Sequence, residues 1–159
     1  VLRSVCEDAE AFAKWAGKRL PKEAEWEWAA RVAPGYLYPW GQEWDPTKDR
    51  SRANVAASAR EGDEPEAVAV DGKLDYNNEH PRKILHLIGN VAEWTADTYG
   101  AYAGGELPSA DRAKTSWGVV RGGSIASKDA KECTATFRFP VPASVAQDWI
   151  GFRCVKDSE

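Results

Sequence analysis

The sequence predicts one α+β domain. Three features carry that expectation: helical periodicity confined to the first 31 residues, a turn-rich middle, and short β-type runs gathered after residue 117. At 159 residues there is length for one domain with a real hydrophobic core and too little for two, so 1–159 is expected to be a single domain. Hydrophobic residues make up 43% and charged residues 29%, a globular balance with enough apolar surface to drive folding.

Ser4-Val5-Cys6-Glu7 has the S-x-x-E form of a capping box, which marks a helix start. Ala9, Phe12, Ala13 and Ala16 then recur at helical spacing, and Gly17 is a natural stop. Pro21 opens a second helix, with Glu23, Glu25 and Glu27 favourable towards its positive end. Trp26, Ala29 and Ala30 share one face of it, and it runs to about Arg31. From Ala33 to Glu79, Pro, Gly, Asn and Asp dominate and the pattern breaks into turns. Loops of that length in a compact domain are functional or tied down by a ligand or metal. The runs WGVVRGG (117–123), TATFRFP (134–140) and IGFRCV (150–155) predict a small antiparallel sheet late in the chain.

Composition narrows the function. The net charge is −4 with no basic stripe, which argues against a nucleic-acid partner. No apolar run approaches the ~20 residues of a membrane span, so no membrane is expected either. Cys6, Cys133 and Cys154 cannot close a disulfide set and contain no CxxC pair. They are read as reduced, half-buried thiols of a cytoplasmic protein, with a Cys133–Cys154 bridge as the alternative in an exported one. The chain begins at Val1 and contains no methionine, so it is expected to lack an N-terminal segment, which a longer protein or a companion chain would supply. Eight tryptophans are too costly to leave in water, and Trp15, Trp26, Trp28, Trp40 and Trp94 are read as packing residues.

Three blocks occur in order: FAKWAGKRLPKEAEWEWAAR (12–31), LIGNVAEWTADTY (87–99), and VVRGGS, CTATFRFPVP and IGFRCV within 119–155. Together they resemble the sulfatase-modifying family, whose best-known member is the formylglycine-generating enzyme. The resemblance covers essentially the whole chain and the C-terminal larger part of the family domain. It implies a variant of the C-type-lectin-like fold: a small twisted antiparallel sheet, two helices and much irregular loop.

The family's enzyme holds copper(I) with two cysteines in the segment after RGGS, because soft thiolates suit that ion. Counted from Arg121 to Ser124, those positions fall on Ser127 and on or beside Glu132. Neither is a cysteine, and Cys133 matches a structural cysteine of the family better. No copper is therefore expected. Iron is not expected either: the related sulfoxide synthases hold it with histidines from a separate helical domain, and His80 and His86 are the only histidines here. Both are read as solvated loop residues. The cysteines that the family pairs with Cys154 and Cys133 correspond to Ala13 and Ala30.

The resemblance also implies calcium. One set would be the Gly89 and Val91 carbonyls with the Glu93 carboxylate, weakened because His86 replaces an oxygen ligand. A second would be Asn54 and the Val55 carbonyl with an acid such as Asp63. Arg138 and Arg153 are read as structural ion-pair residues, and Gly122 and Gly123 as a tight strand end.

The function these readings favour is a non-catalytic module that binds a protein or small ligand, as part of a larger bacterial signalling or effector protein. Its surface would be the loops 125–132 and 140–149, with Ser127, Lys128, Asp129, Lys131, Gln147, Asp148 and Trp149 as contact residues. One alternative is a family oxidoreductase with altered metal chemistry. Another is a retroelement-diversified lectin-like receptor protein, although the segment after RGGS shows no excess of Asn and Tyr.

Overall fold

Two short helices open the chain, and alanines decide how they sit. In the computed structural model, which describes residues 4–45, 47–48, 52–59, 66–68, 80, 83–114 and 116–157, helix α1 is Cys6–Trp15 and α2 is Glu23–Ala30. The N-cap of α1 is Val5 and no side chain caps it. The expected capping box therefore does not form, and the Ser4 carbonyl accepts a hydrogen bond from Trp94 Nε1 at 2.9 Å. The other end behaves as expected: the amides of Gly17 and Lys18 donate to the carbonyls of Lys14 and Ala13, the paired bonds that close a helix at a glycine. At α2 the Glu25 carboxylate accepts the Lys22 N–H at 2.8 Å.

The buried positions of α1 are Ala9 and Ala13, four residues apart. With small residues facing the core, the large ones are left outside: Phe12 is 44% exposed and Trp15 81%. On α2, Trp26 and Ala30 are buried while Trp28 is 67% exposed. The expectation that Trp15 and Trp28 pack inside is thus wrong, because the alanine stripe sets the helix face. Trp26, Trp94 and Trp40 do pack against the core.

The sheet has four strands, β1 (Ala92–Thr98), β2 (Gly118–Arg121), β3 (Phe139–Val141) and β4 (Ile150–Phe152), in the order β3-β2-β1-β4. Three of the four come from the predicted runs. β1 is unanticipated, since Ala92–Thr98 has modest β propensity and its first four residues are all buried rather than alternating. It pairs antiparallel with β2, with a register shift between Trp94 and Thr98, and parallel with β4. The sheet is therefore mixed, not wholly antiparallel. The predicted strand from Thr134 shrinks to Phe139–Val141, because the carbonyls of Ala135 and Thr136 turn towards Arg121 instead of a neighbouring strand.

A buried ion network ties the helices to the sheet. Arg121, on β2 and 1% exposed, donates from Nη1 to Glu23 Oε1 at 3.3 Å and from Nη2 to Glu27 Oε2 at 2.7 Å. Arg138 grips the same Glu23 carboxylate with two bonds, at 2.8 and 2.6 Å. Replacing Glu23 by alanine leaves two guanidinium groups in low dielectric without their shared partner. Glu23→Ala is expected to lower stability by about 3–5 kcal/mol in urea denaturation. Glu25→Gln, which breaks an exposed pair with Arg19, leaves the midpoint close to wild type.

Candidate functional site

The segment after β2 turns sharply, and glycine is what permits it. Gly122 has φ +93° and Gly123 φ +67°. A Cβ on Gly122 would lie 2.5 Å from the Leu87 carbonyl, and one on Gly123 would lie 3.0 Å from the Glu132 carbonyl and 3.1 Å from Cys133 Sγ. These two residues bring the returning chain hard against the strand end. Beyond them the Ser124 N–H donates to Ser127 Oγ at 3.1 Å, and the Ser127 carbonyl accepts the Ala57 N–H at 2.8 Å. Asp129 then starts a single 3₁₀ turn, Ala130–Cys133, by accepting the Lys131 N–H at 2.9 Å.

A cavity of about 190 Å³ lies against this loop. Ser127, Glu132 and Trp149 line it together with Phe137 and Phe139, and Ala92 and Val120 of the sheet contribute to its wall. The rings of Phe139 and Trp149 meet edge to face at 5.8 Å, and Phe137 lies 6.3 Å from Phe139. Of the predicted contact residues, the structure brings Ser127 and Trp149 to the pocket. Lys128, Asp129, Lys131, Gln147 and Asp148 are exposed on the flanking loops and do not line it. Sequence reasoning passed over Phe137 and Phe139. The available signal was FRF itself: alternate residues of an extended segment face opposite ways, so when Arg138 turns in to Glu23 both phenylalanines face the other side.

Cys133 is fully buried behind Gly123. Burial pushes its thiol up to about 12, a hydrogen bond with Ser127 pulls the other way, and the charges of Glu132 and Asp129 add to the rise. Cys6 is pushed up to about 11, again chiefly by burial and then by Glu10 and Glu7. Cys6, Cys133 and Cys154 are all free. Cys133 packs in the cluster that contains Ala30, and Cys154 against the cluster that contains Ala13, so each sits beside the helix the family resemblance assigns it.

The carboxylate proposed for calcium is engaged otherwise. Glu93 accepts Trp26 Nε1 at 2.7 Å and Arg153 Nε at 2.5 Å on one oxygen, and Arg153 Nη2 at 2.7 Å on the other. Arg153 also donates to the Leu85 and His86 carbonyls. A fixed guanidinium beside the carboxylate repels a divalent ion, so Gly89, Val91 and Glu93 do not fit one. Asn54 spends its side-chain N–H groups on the Glu66 carbonyl and Asn90. It bridges to Gly89 beside Val55, and Asp63 lies outside the described residues. Among the described residues no group of three or more His, Cys, Asp or Glu side chains could hold a metal ion. Arg138 and Arg153 are structural ion-pair residues, as expected, and Arg121 joins them. The histidines are not solvated: His80 is 2% exposed and His86 3%. His80 Nε2 lies 2.7 Å from the Ala29 carbonyl at the end of α2, a long-range partner that no local pattern reveals.

Fold and pocket together define an α+β, C-type-lectin-like scaffold whose candidate loop follows an RGGS turn. The chain belongs to the sulfatase-modifying factor enzyme 1-like domain family, whose model matches residues 4–158. It is 36% identical to the formylglycine-generating enzyme of Streptomyces coelicolor, over 96% of this chain and 51% of that protein. It is 35% identical to the inactive C-alpha-formylglycine-generating enzyme 2 of Bos taurus, over 92% and 46%. Among solved structures it resembles Treponema denticola variable protein 1 with a TM-score of 0.62 and 28% identity, over 85% of this chain and 46% of that one. The chain thus spans about half the length of these relatives. Among the described residues no helix is long and apolar enough to cross a membrane.

The buried thiol yields a pH test. The folded chain keeps the Cys133 proton where the unfolded chain releases it near the ordinary cysteine value, so unfolding is increasingly favoured as pH rises from about 9 towards 12. Stability should fall over that window by at most about 1.4 kcal/mol per pH unit for this group. Comparing denaturation midpoints at both ends of the window, Cys133→Ala should show a shallower fall than the parent chain.

Proposed function

We propose that this chain is a non-catalytic binding module on a formylglycine-generating-enzyme-like scaffold, serving a larger bacterial signalling or effector protein in the cytoplasm. One observation carries the reading: where the resemblance would put a pair of copper-binding sulfurs, the pocket has Ser127 and Glu132, and aromatic rings complete its wall. A hydroxyl and a carboxylate are poor ligands for copper(I), and the one nearby thiol is held protonated by burial. What is left is a concave, mainly apolar site with a few polar side chains, Ser124, Ser127 and Glu132, which is the make-up of a binding pocket. The family includes members named inactive, so loss of catalysis on this scaffold has a precedent. The loops 125–132 and 140–149 would carry the partner's remaining contacts, with Lys128, Asp129, Lys131, Gln147 and Asp148 at their exposed rim.

Two measurements check this. In amide correlation spectra recorded against a set of neutral, anionic and cationic small molecules, shifts should gather on Ser127, Glu132, Phe137, Phe139 and Trp149. Trp149→Ala should weaken that response by about tenfold or more, the usual scale for an aromatic anchor. With copper(I) and a cysteine-containing peptide, oxygen uptake should stay at the level of the metal alone. Uptake above that level would overturn the non-catalytic reading, and so would a pocket that no compound perturbs.

A further inference from the structure

We infer that the pocket formed by Glu132, Phe137, Phe139 and Trp149 takes an organic cation, a guanidinium or alkylammonium group. The inference rests on the binding reading above and states the chemistry of the ligand.

The first observation concerns charge. Glu132 is half-buried, lines the pocket, and its carboxylate makes no hydrogen bond or ion pair among the described residues. Its charge nevertheless acts inward, since it raises the pKa of Cys133 behind Gly123. No lysine or arginine lines the cavity; Lys128 and Lys131 of the same loop are exposed outside it. An anion entering would meet the Glu132 carboxylate with no basic side chain in the lining to offset it. A neutral apolar ligand would strip water from Glu132 and leave it unpaired, which is costly. A cation satisfies both features.

The second observation is that the protein treats its own cations in this way. The Arg138 guanidinium lies 4.8 Å from the Tyr99 ring centroid and 4.2 Å from that of Tyr102, with Glu23 as its carboxylate partner. Arg121 lies 5.5 Å from the Trp26 ring centroid, paired with Glu23 and Glu27. Rings plus a carboxylate form the recurring cation site of this molecule. The pocket repeats the same set, with Phe137, Phe139 and Trp149 lining it beside the Glu132 carboxylate.

Size sets the class further. About 190 Å³ holds one side-chain-sized group and excludes a nucleotide or a folded peptide segment. The cation could be carried by a basic side chain of a partner protein or by a free small amine, and the chemistry recognised is the same.

The test is calorimetric titration of the whole chain with blocked arginine (N-acetyl-arginine methylamide), blocked lysine, tetramethylammonium, and blocked citrulline as the neutral isostere of arginine. A blocked cationic amino acid should bind about tenfold or more tightly than citrulline, the scale of one charge-assisted contact plus a cation–π contact. Glu132→Gln, which keeps shape and removes charge, should abolish that preference, and Phe139→Ala should weaken every cation. Tetramethylammonium matching the blocked residues indicates a free amine as the source, and a clear preference for the blocked residues indicates a protein side chain. Citrulline binding as tightly as arginine, or a preference that survives in Glu132→Gln, overturns the inference while leaving a binding module in place. If no compound binds and none perturbs the pocket resonances, the cation inference and the binding reading fall together.

Discussion

The Glu23 carboxylate is the point on which the architecture turns. It is 4% exposed and held by two arginines from different parts of the late sequence, one on β2 and one immediately before β3. Burying three charges is expensive, and the arrangement is stable only because nearly every donor is met. Arg121 reaches Glu23, Glu27 and the carbonyls of Ala135 and Thr136, leaving only its Nε without a hydrogen bond. Those carbonyl bonds hold residues 134–138 out of the sheet. That choice in turn aims Phe137 and Phe139 at the pocket. The shape of the candidate site thus follows from how one buried guanidinium is satisfied.

The parts legible in the sequence are those that short-range physics decides. Both helices, the stop at Gly17, the strand that ends in RGG and the strand containing Ile150 rest on periodicity or on backbone chemistry that a few neighbouring residues supply. What escaped depends on partners far along the chain. Ser4 has the sequence of a cap, but the helix starts with Val5 as its N-cap and the Ser4 carbonyl is met by Trp94, ninety positions on. β1 carries Glu93 and Trp94 side by side in a fully buried stretch, and no alternation marks it, because Arg153, Trp26 and Ser4 make its polar groups tolerable. His80 looks like a loop histidine until α2 supplies the Ala29 carbonyl.

The candidate site divides along the same line. Its place was readable from RGGS, and so was the absence of a sulfur pair. Its wall was not, because Phe137 and Phe139 carry the signature of an ordinary strand and only the diversion of the backbone towards Arg121 gives them their role. Glu93 shows the same dependence on distant partners. A carboxylate in a loop motif reads as a metal ligand when considered locally, but here the guanidinium of Arg153, just after the last strand, pairs with it.

These observations explain how a scaffold can stay recognisable while its chemistry changes. The demands on the backbone are met by Gly122, Gly123 and Arg121, whose contacts are with Leu87, Glu132, Glu23 and the chain itself. None of those contacts requires a particular side chain at 127 or 132. Gly123 meets the backbone carbonyl of Glu132, which every residue type would present equally. Position 132 is therefore open to many residue types, whereas at 127 the side chain must still accept the Ser124 N–H. The turn identifies the family because folding depends on it; residues that face the cavity report the function where, as at Glu132, folding leaves the side chain free.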